Sequence, residues 1–153
     1  MSSTGLSHGR LKDDAGFSLI ELLVVILIIG VLAAIAIPQF VGQKTKAVGA
    51  QAKEMARSAE TTAETIATEN NGSYENVTLE ELHNVEPSLA LESENSGTFL
   101  SSATHGEHEY SVTATTSDGA EFTITKDSNG EITRSCVSPT DKTGCAGAEA
   151  ASW

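Results

Sequence analysis

The run FSLIELLVVILIIGVLAAIAI, Phe17 to Ile37, constrains this 153-residue chain more than any other stretch in it. Every residue of the run is apolar except Ser18, Glu21 and Gly30. As a helix it would be roughly 30 Å long, the thickness of a bilayer's hydrocarbon core. A secretory signal peptide has a shorter apolar stretch of about 7–15 residues. Ala33, Ala34 and Ala36 could still serve as the small-residue cleavage site of such a peptide. Glu21 lies a few residues inside the leading edge, where a carboxylate is costly. The penalty is about 2.5–3.5 kcal/mol at the centre of a span and less near an end. One reading has Glu21 reach the interface or take up a proton; the other has it await a positive partner in an assembly. A cut just before Phe17 would create that partner, an α-amine that a staggered neighbour could bring to Glu21. Pairing in a low-dielectric setting would offset desolvation, whereas an unpaired carboxylate would go uncompensated.

Gly16 followed by FSLIELLVVILIIGVLAAIAIP, ending at Pro38, resembles the cleavage site and amino-terminal helix of type IV pilins and type II secretion pseudopilins. The resemblance implies a cut between Gly16 and Phe17 by a prepilin peptidase, which also N-methylates Phe17. It implies that Glu21 is the assembly glutamate, complementing the amine of an adjacent subunit. Gly30 and Pro38 match the positions between which this helix melts in some assembled filaments. Physically, glycine weakens a helix and proline removes a backbone donor and bends it, so a simple kink is the plainer reading.

The domains expected on this basis are a cleaved leader, 1–16, a transmembrane and filament-core helix, 17–37, and a head, 38–153. The implied partners are further copies in a helical filament, the peptidase, an inner-membrane assembly platform, minor pilins and the membrane that holds subunits before assembly. The implied location is a single-pass cytoplasmic membrane protein with its N-terminus in the cytoplasm, becoming extracellular in the pilus. The expected function is the structural major subunit of a type IV pilus. The alternative is a secretion or competence pseudopilin that builds a short periplasmic pseudopilus.

Charge narrows the partners. The formal net charge is −12, and no Lys or Arg occurs between Arg57 and Lys126. Such an acidic run reads as a solvated surface, and it disfavours direct nucleic-acid binding, which needs basic phosphate contacts. Arg10 and Lys12 precede the span and favour a cytoplasmic N-terminus, while Lys44, Lys46, Lys53 and Arg57 follow it and pull the other way. Cys136 and Cys145 form no CxxC pair and have no Cys/His cluster beside them, which argues against zinc. On the exported side they read as a disulfide, with free thiols the remaining alternative. Major secretion pseudopilins commonly carry a calcium site instead, so the cysteine pair favours the pilin.

Beyond Pro38, Val41, Thr45, Val48, Ala52, Met55, Ala59, Thr62 and Ile66 step by threes and fours, one stripe of a continuing helix. Lys53, Arg57, Glu60 and Glu64 are expected around its exposed side. Asn70-Asn71-Gly72 is a stop signal. Thr78-Leu79-Glu80-Glu81 fits a capping box for a short helix that Pro87 limits. From Thr98 the period changes to two, with strands expected near 98–103, 108–116, 120–126 and 131–136, and turns at Ser117-Asp118-Gly119 and Ser128-Asn129-Gly130. The expected fold class is α+β: a long N-terminal helix packed on a C-terminal antiparallel meander, pilin-like.

His105-Gly106-Glu107-His108 is the one place that suggests a metal, but it lacks a helix and a third ligand, and a surface loop is expected. Asn71-Gly72-Ser73 and Asn76-Val77-Thr78 match the glycosylation sequon, a pattern common by chance. No phosphate loop, nucleophile elbow or carboxylate pair of defined geometry stands out, so no enzyme and no cofactor are expected.

Overall fold

The computed structural model describes residues 16–92, 97–139, 143–145 and 151–153; the side chains of Pro38, Gln39, Val41 and Ala151 lie outside that description. The expected leader, up to residue 15, also lies outside it. Helix α1 spans Leu19–Glu69 and α2 spans Leu79–Val85. They are followed by β1 (Thr98–His105), β2 (Tyr110–Thr116), β3 (Glu121–Lys126), β4 (Ile132–Val137) and β5 (Ala151–Ser152). The chain divides into two units, Met1–Pro38 and Gln39–Trp153.

In the first unit α1 is apolar all round, so it has no polar face to turn to water. Its large side chains between Phe17 and Ile37 are 46% to 87% exposed, which means that the described residues cover none of them. By length and composition the helix can cross a membrane. Gly30 and Pro38 both fall within its helical range.

The second unit is α+β with pilin-like architecture. Along α1, Gly49, Ala52, Ala56, Ala59, Ala63 and Ala67 are buried, with Ile66 the large exception. The expected stripe therefore holds at Ala52, Ala59, Thr62 and Ile66, but Ala56 and Ala63 widen it into a second row one turn apart. Small residues let the helix lie close to what covers it. Gly49 shows the limit: a Cβ there would sit 1.9 Å from the Thr143 carbonyl oxygen. The helix stops where expected, with Asn71 at φ 57 and Gly72 at φ 89, and the Gly72 amide donating to the Ala67 carbonyl at 2.7 Å.

At the start of α2 the Thr78 hydroxyl accepts from the Glu81 amide at 3.1 Å. The other half of the expected capping box is replaced, because the Thr78 amide donates to the Asn76 carbonyl at 2.9 Å.

The sheet is an antiparallel meander in the order β1-β2-β3-β4-β5. Four strands lie within two residues of their expected limits. The two-residue β5 was not expected, since it is too short to show a period. Val112 faces Ile124, Ala114 faces Phe122, and Phe122 faces Cys136, all buried on the side towards α1. Gly119 and Gly130, at φ 82 and 84, close the two expected turns. On the opposite side, hydroxyls pair across strands: Ser111 with Thr125 at 2.9 Å, Thr113 with Thr123 at 2.9 Å, and Thr115 with Ser101 at 2.7 Å.

Of the four charges expected on the exposed side of α1, Arg57 is exposed, but Lys53, Glu60 and Glu64 are half-buried. Glu60 accepts from Arg134 at 3.0 Å and Glu64 from Lys126 at 2.9 Å, so both acids face the sheet. Lys53 donates to the Gly144 carbonyl at 2.9 Å and lies 5.5 Å from the centres of the Phe122 and Trp153 rings. Arg57 lies 5.4 Å from the Trp153 ring and 3.9 Å from Glu54. Most of these groups are claimed by the sheet and the C-terminal residue, which carry Arg134, Lys126 and Trp153.

Glu64 also accepts from Tyr74 at 2.7 Å and Tyr110 at 3.3 Å. Burial pushes the Glu64 carboxyl up, but hydrogen bonds from Lys126 and Tyr74 and the Lys126 charge outweigh it, leaving it below its ordinary 4.5. Lys126 is held above its ordinary 10.5, first by its hydrogen bond to Glu64. The Glu64 contribution is thus fully present above pH 4.5 and is lost as pH falls through the lowered value. The Lys126 contribution is present below pH 10.5 and is lost as pH rises through the raised value. Glu64→Gln should destabilise the head by less than about 1 kcal/mol, because the Glu64 side chain is 41% exposed and its pairing is screened. In melts followed by circular dichroism, this variant should lose less stability than the parent between about pH 5 and pH 3.

Candidate processing and assembly site

Residues 16–18 precede α1 in no regular structure, and Phe17 is 87% exposed. Around Gly16 nothing lies within 4 Å of where a Cβ would be. The Gly16–Phe17 peptide is therefore open on the described side of the chain. What fixes this edge is a cap. The Glu21 carboxylate accepts from the Ser18 amide at 3.0 Å, and the Ser18 hydroxyl accepts from the Ile20 amide at 3.3 Å. The Ser18 carbonyl accepts the first helical bond, from Leu22 at 3.2 Å. A hydroxyl and a carboxylate three residues apart thus satisfy amides that the helix leaves without partners, and the carboxylate stands at the positive end of the helix dipole.

This role of Ser18 was missed in the sequence, although Ser18-Leu19-Ile20-Glu21 spells the signal plainly. Within a run of apolar residues, Ser18 passed as an interruption of a span and not as its boundary. The cap also changes the setting of Glu21. In the single chain the carboxylate already has a partner, a neutral amide of its own backbone.

The cysteines lie in the head. Cys136 of β4 and Cys145 are joined in a disulfide with their Cα atoms 5.8 Å apart, and both are buried. Inside the loop that they close, the Thr143 hydroxyl donates to Ser138 at 2.7 Å, while Thr143 meets α1 at Gly49 and Gly144 meets it at Lys53. Thr143 and Gly144 thus lie against the helix. His105 is the last residue of β1 and His108 lies in the β1–β2 connection; both are exposed, and His108 lies 3.8 Å from Glu107.

A family model described as the prokaryotic N-terminal methylation motif matches residues 11–37. That segment holds Gly16, Phe17, Ser18, Glu21 and Gly30 and stops one residue short of Pro38. The match supports the resemblance of this segment to the type IV pilin and pseudopilin family. It does not separate a major pilin from a pseudopilin. No solved structure matches the chain.

The cap can be tested directly. Ser18→Ala should weaken the first turn by about 1 kcal/mol, the usual loss for an N-cap. In the detergent-solubilised chain, exchange of the Ile20 amide should then quicken about fivefold, while Ser18→Thr should stay close to the parent. Unchanged exchange in Ser18→Ala would show that the cap does not form in solution.

Proposed function

We propose that this chain is the major subunit of a type IV pilus, polymerising into a surface filament after removal of residues 1–16. The observation that carries the reading is the open Gly16–Phe17 peptide directly ahead of an apolar helix that bears Glu21 and that the described chain leaves uncovered. Residues 17–37 then serve first as a membrane span and afterwards as filament core, and residues 38–153 form the exported head. Burial in lipid or among other copies supplies what the helix lacks in water. The implied partners are the prepilin peptidase and methyltransferase, the assembly platform and minor pilins. The disulfide favours an oxidising compartment for the head, and the pilin over the pseudopilin.

Mass spectrometry of sheared surface material should find a chain beginning at N-methyl-Phe17. Gly16→Ala should slow this cut less than a bulky residue would, because the bulky side chain must fit the peptidase where Gly16 presents none. An intact Met1 in the surface form would overturn the reading.

Glu21→Gln tests the assembly role. It keeps the shape and removes the charge, so insertion and cleavage should persist while the yield of sheared filaments falls. The measurement compares membrane-held with sheared protein in cells that make only the variant. Normal filament amounts would show that the carboxylate's charge is dispensable.

A further inference from the structure

The strand register places hydroxyl side chains in ordered rows on the face of the sheet turned away from α1. One row runs Thr104, Ser111, Thr125, Thr133 across four strands. The next runs Ser102, Thr113, Thr123, Ser135. A third, Phe99, Thr115, Glu121, Val137, adds an aromatic ring, one carboxylate and an apolar end. Several of these hydroxyls are already held in place by their neighbours, Ser111 by Thr125 and Thr113 by Thr123, both at 2.9 Å. Each keeps spare donor or acceptor capacity, since a hydroxyl offers one donor and two acceptor sites.

We propose that this face binds a neutral polysaccharide. Among its outward positions in β1 to β4 the only ionised side chain is Glu121, in a chain of net charge −12. Nucleic acid and other polyanions are repelled by such a chain, and polycations are drawn to its acidic surfaces elsewhere. The hydroxyl rows are matched instead by an uncharged polymer that is itself covered with hydroxyls. Phe99, half-buried, offers an apolar surface for the C–H side of a sugar ring, and the exposed Glu121 accepts from sugar hydroxyls.

The shape selects further. Rows repeat at about 4.8 Å between strands, but adjacent strands rotate by about 20–25°, so four strands turn the face through roughly 60–75°. A flat crystalline surface would touch only part of it, whereas a flexible single chain can follow it. Strand propensity accounts for Thr at any one of these positions, and the variants below separate that role from binding. The face exists on each subunit, and only its multivalent display rests on the filament reading. In a filament, repeated copies convert weak single sites into avidity, by about 10²–10⁴ for linked sites.

The test is retardation of the detergent-solubilised full chain in native gels containing glucomannan, dextran or alginate. Glucomannan or dextran should retard the chain and anionic alginate should not. Thr113→Val with Thr123→Val keeps shape and strand propensity while removing two hydroxyls. The double variant should weaken binding about tenfold, the loss of two ordinary hydrogen bonds, with an unchanged melting temperature. Thr115→Val is a milder companion if the double variant misfolds. No retardation by either neutral polymer, equal retardation of the variants, or equal retardation by alginate would each overturn the proposal. Sheared filaments assayed by co-sedimentation with the same polymers should bind more tightly than the solubilised chain. Soluble binding in a strain that makes no filaments would leave the face standing and sink the filament reading alone.

Discussion

The rest of the structure depends on an apolar helix that the described residues do not cover. From Phe17 to Ile37 the large side chains stay exposed in the single chain. Water is an unfavourable medium for such a surface, and a polar environment exists only at its leading edge, where Ser18 and Glu21 cap the first turn. A segment of this kind needs lipid or other apolar helices around it. The same segment bears the peptide proposed to be cut and the carboxylate proposed to direct assembly, so anchoring, processing and polymerisation share about two dozen residues.

The head is organised by the opposite rule. Its part of α1 is lined with alanine and glycine, and what it loses in side-chain volume it gains in close approach. Thr143, in the disulfide loop, can rest on Gly49 only because no Cβ stands there. The sheet then supplies the large apolar groups, among them Tyr110, Phe122 and Ile124. Several cations of the head are drawn inward: Lys126 to Glu64, Arg134 to Glu60, and Lys53 to the Gly144 carbonyl and two rings. Acid excess is left on the outside, in a chain of net charge −12. The hydroxyl face of the sheet, by contrast, carries among its outward positions in β1 to β4 one ionised side chain, Glu121.

Much of this was legible before any coordinates. Alternation in Tyr110-Val112-Ala114 and Phe122-Ile124 located the strands and their inner face, because a period of two leaves little choice once one side is buried. The end of α1 was spelled by Asn71-Gly72. Other features were not legible, for identifiable reasons. Helical spacing shows that Glu60 and Glu64 share a face with their neighbours, but not how far a sheet wraps round the helix, so both were assigned to solvent. Ala56 and Ala63 are too small to stand out as core until something lies on them. Strand β5 has two residues, fewer than any pattern needs. Thr78 and Glu81 matched a reciprocal cap, yet the Asn76 carbonyl took the Thr78 amide, a competition within the loop that spacing cannot reveal.

Ser18 bears on the question that Glu21 raises. A carboxylate at the edge of an apolar span looks as though it lacks a partner, and its cost then seems to demand one from outside. In the single chain it has one, the Ser18 amide at 3.0 Å. In the proposed assembly a neighbour's Phe17 amine therefore competes with a bond that already exists. The Ser18 bond is already charge-assisted, since its acceptor is a carboxylate; what the amine adds is the attraction of a full positive charge, which grows away from water. The gain is therefore smaller than full rescue of a naked charge. The Ser18 amide set free can still be met by the next polar group or by water at the helix edge. In the proposed assembly this site would exchange partners, Ser18 holding the carboxylate in the single chain and a neighbour's amine taking it over.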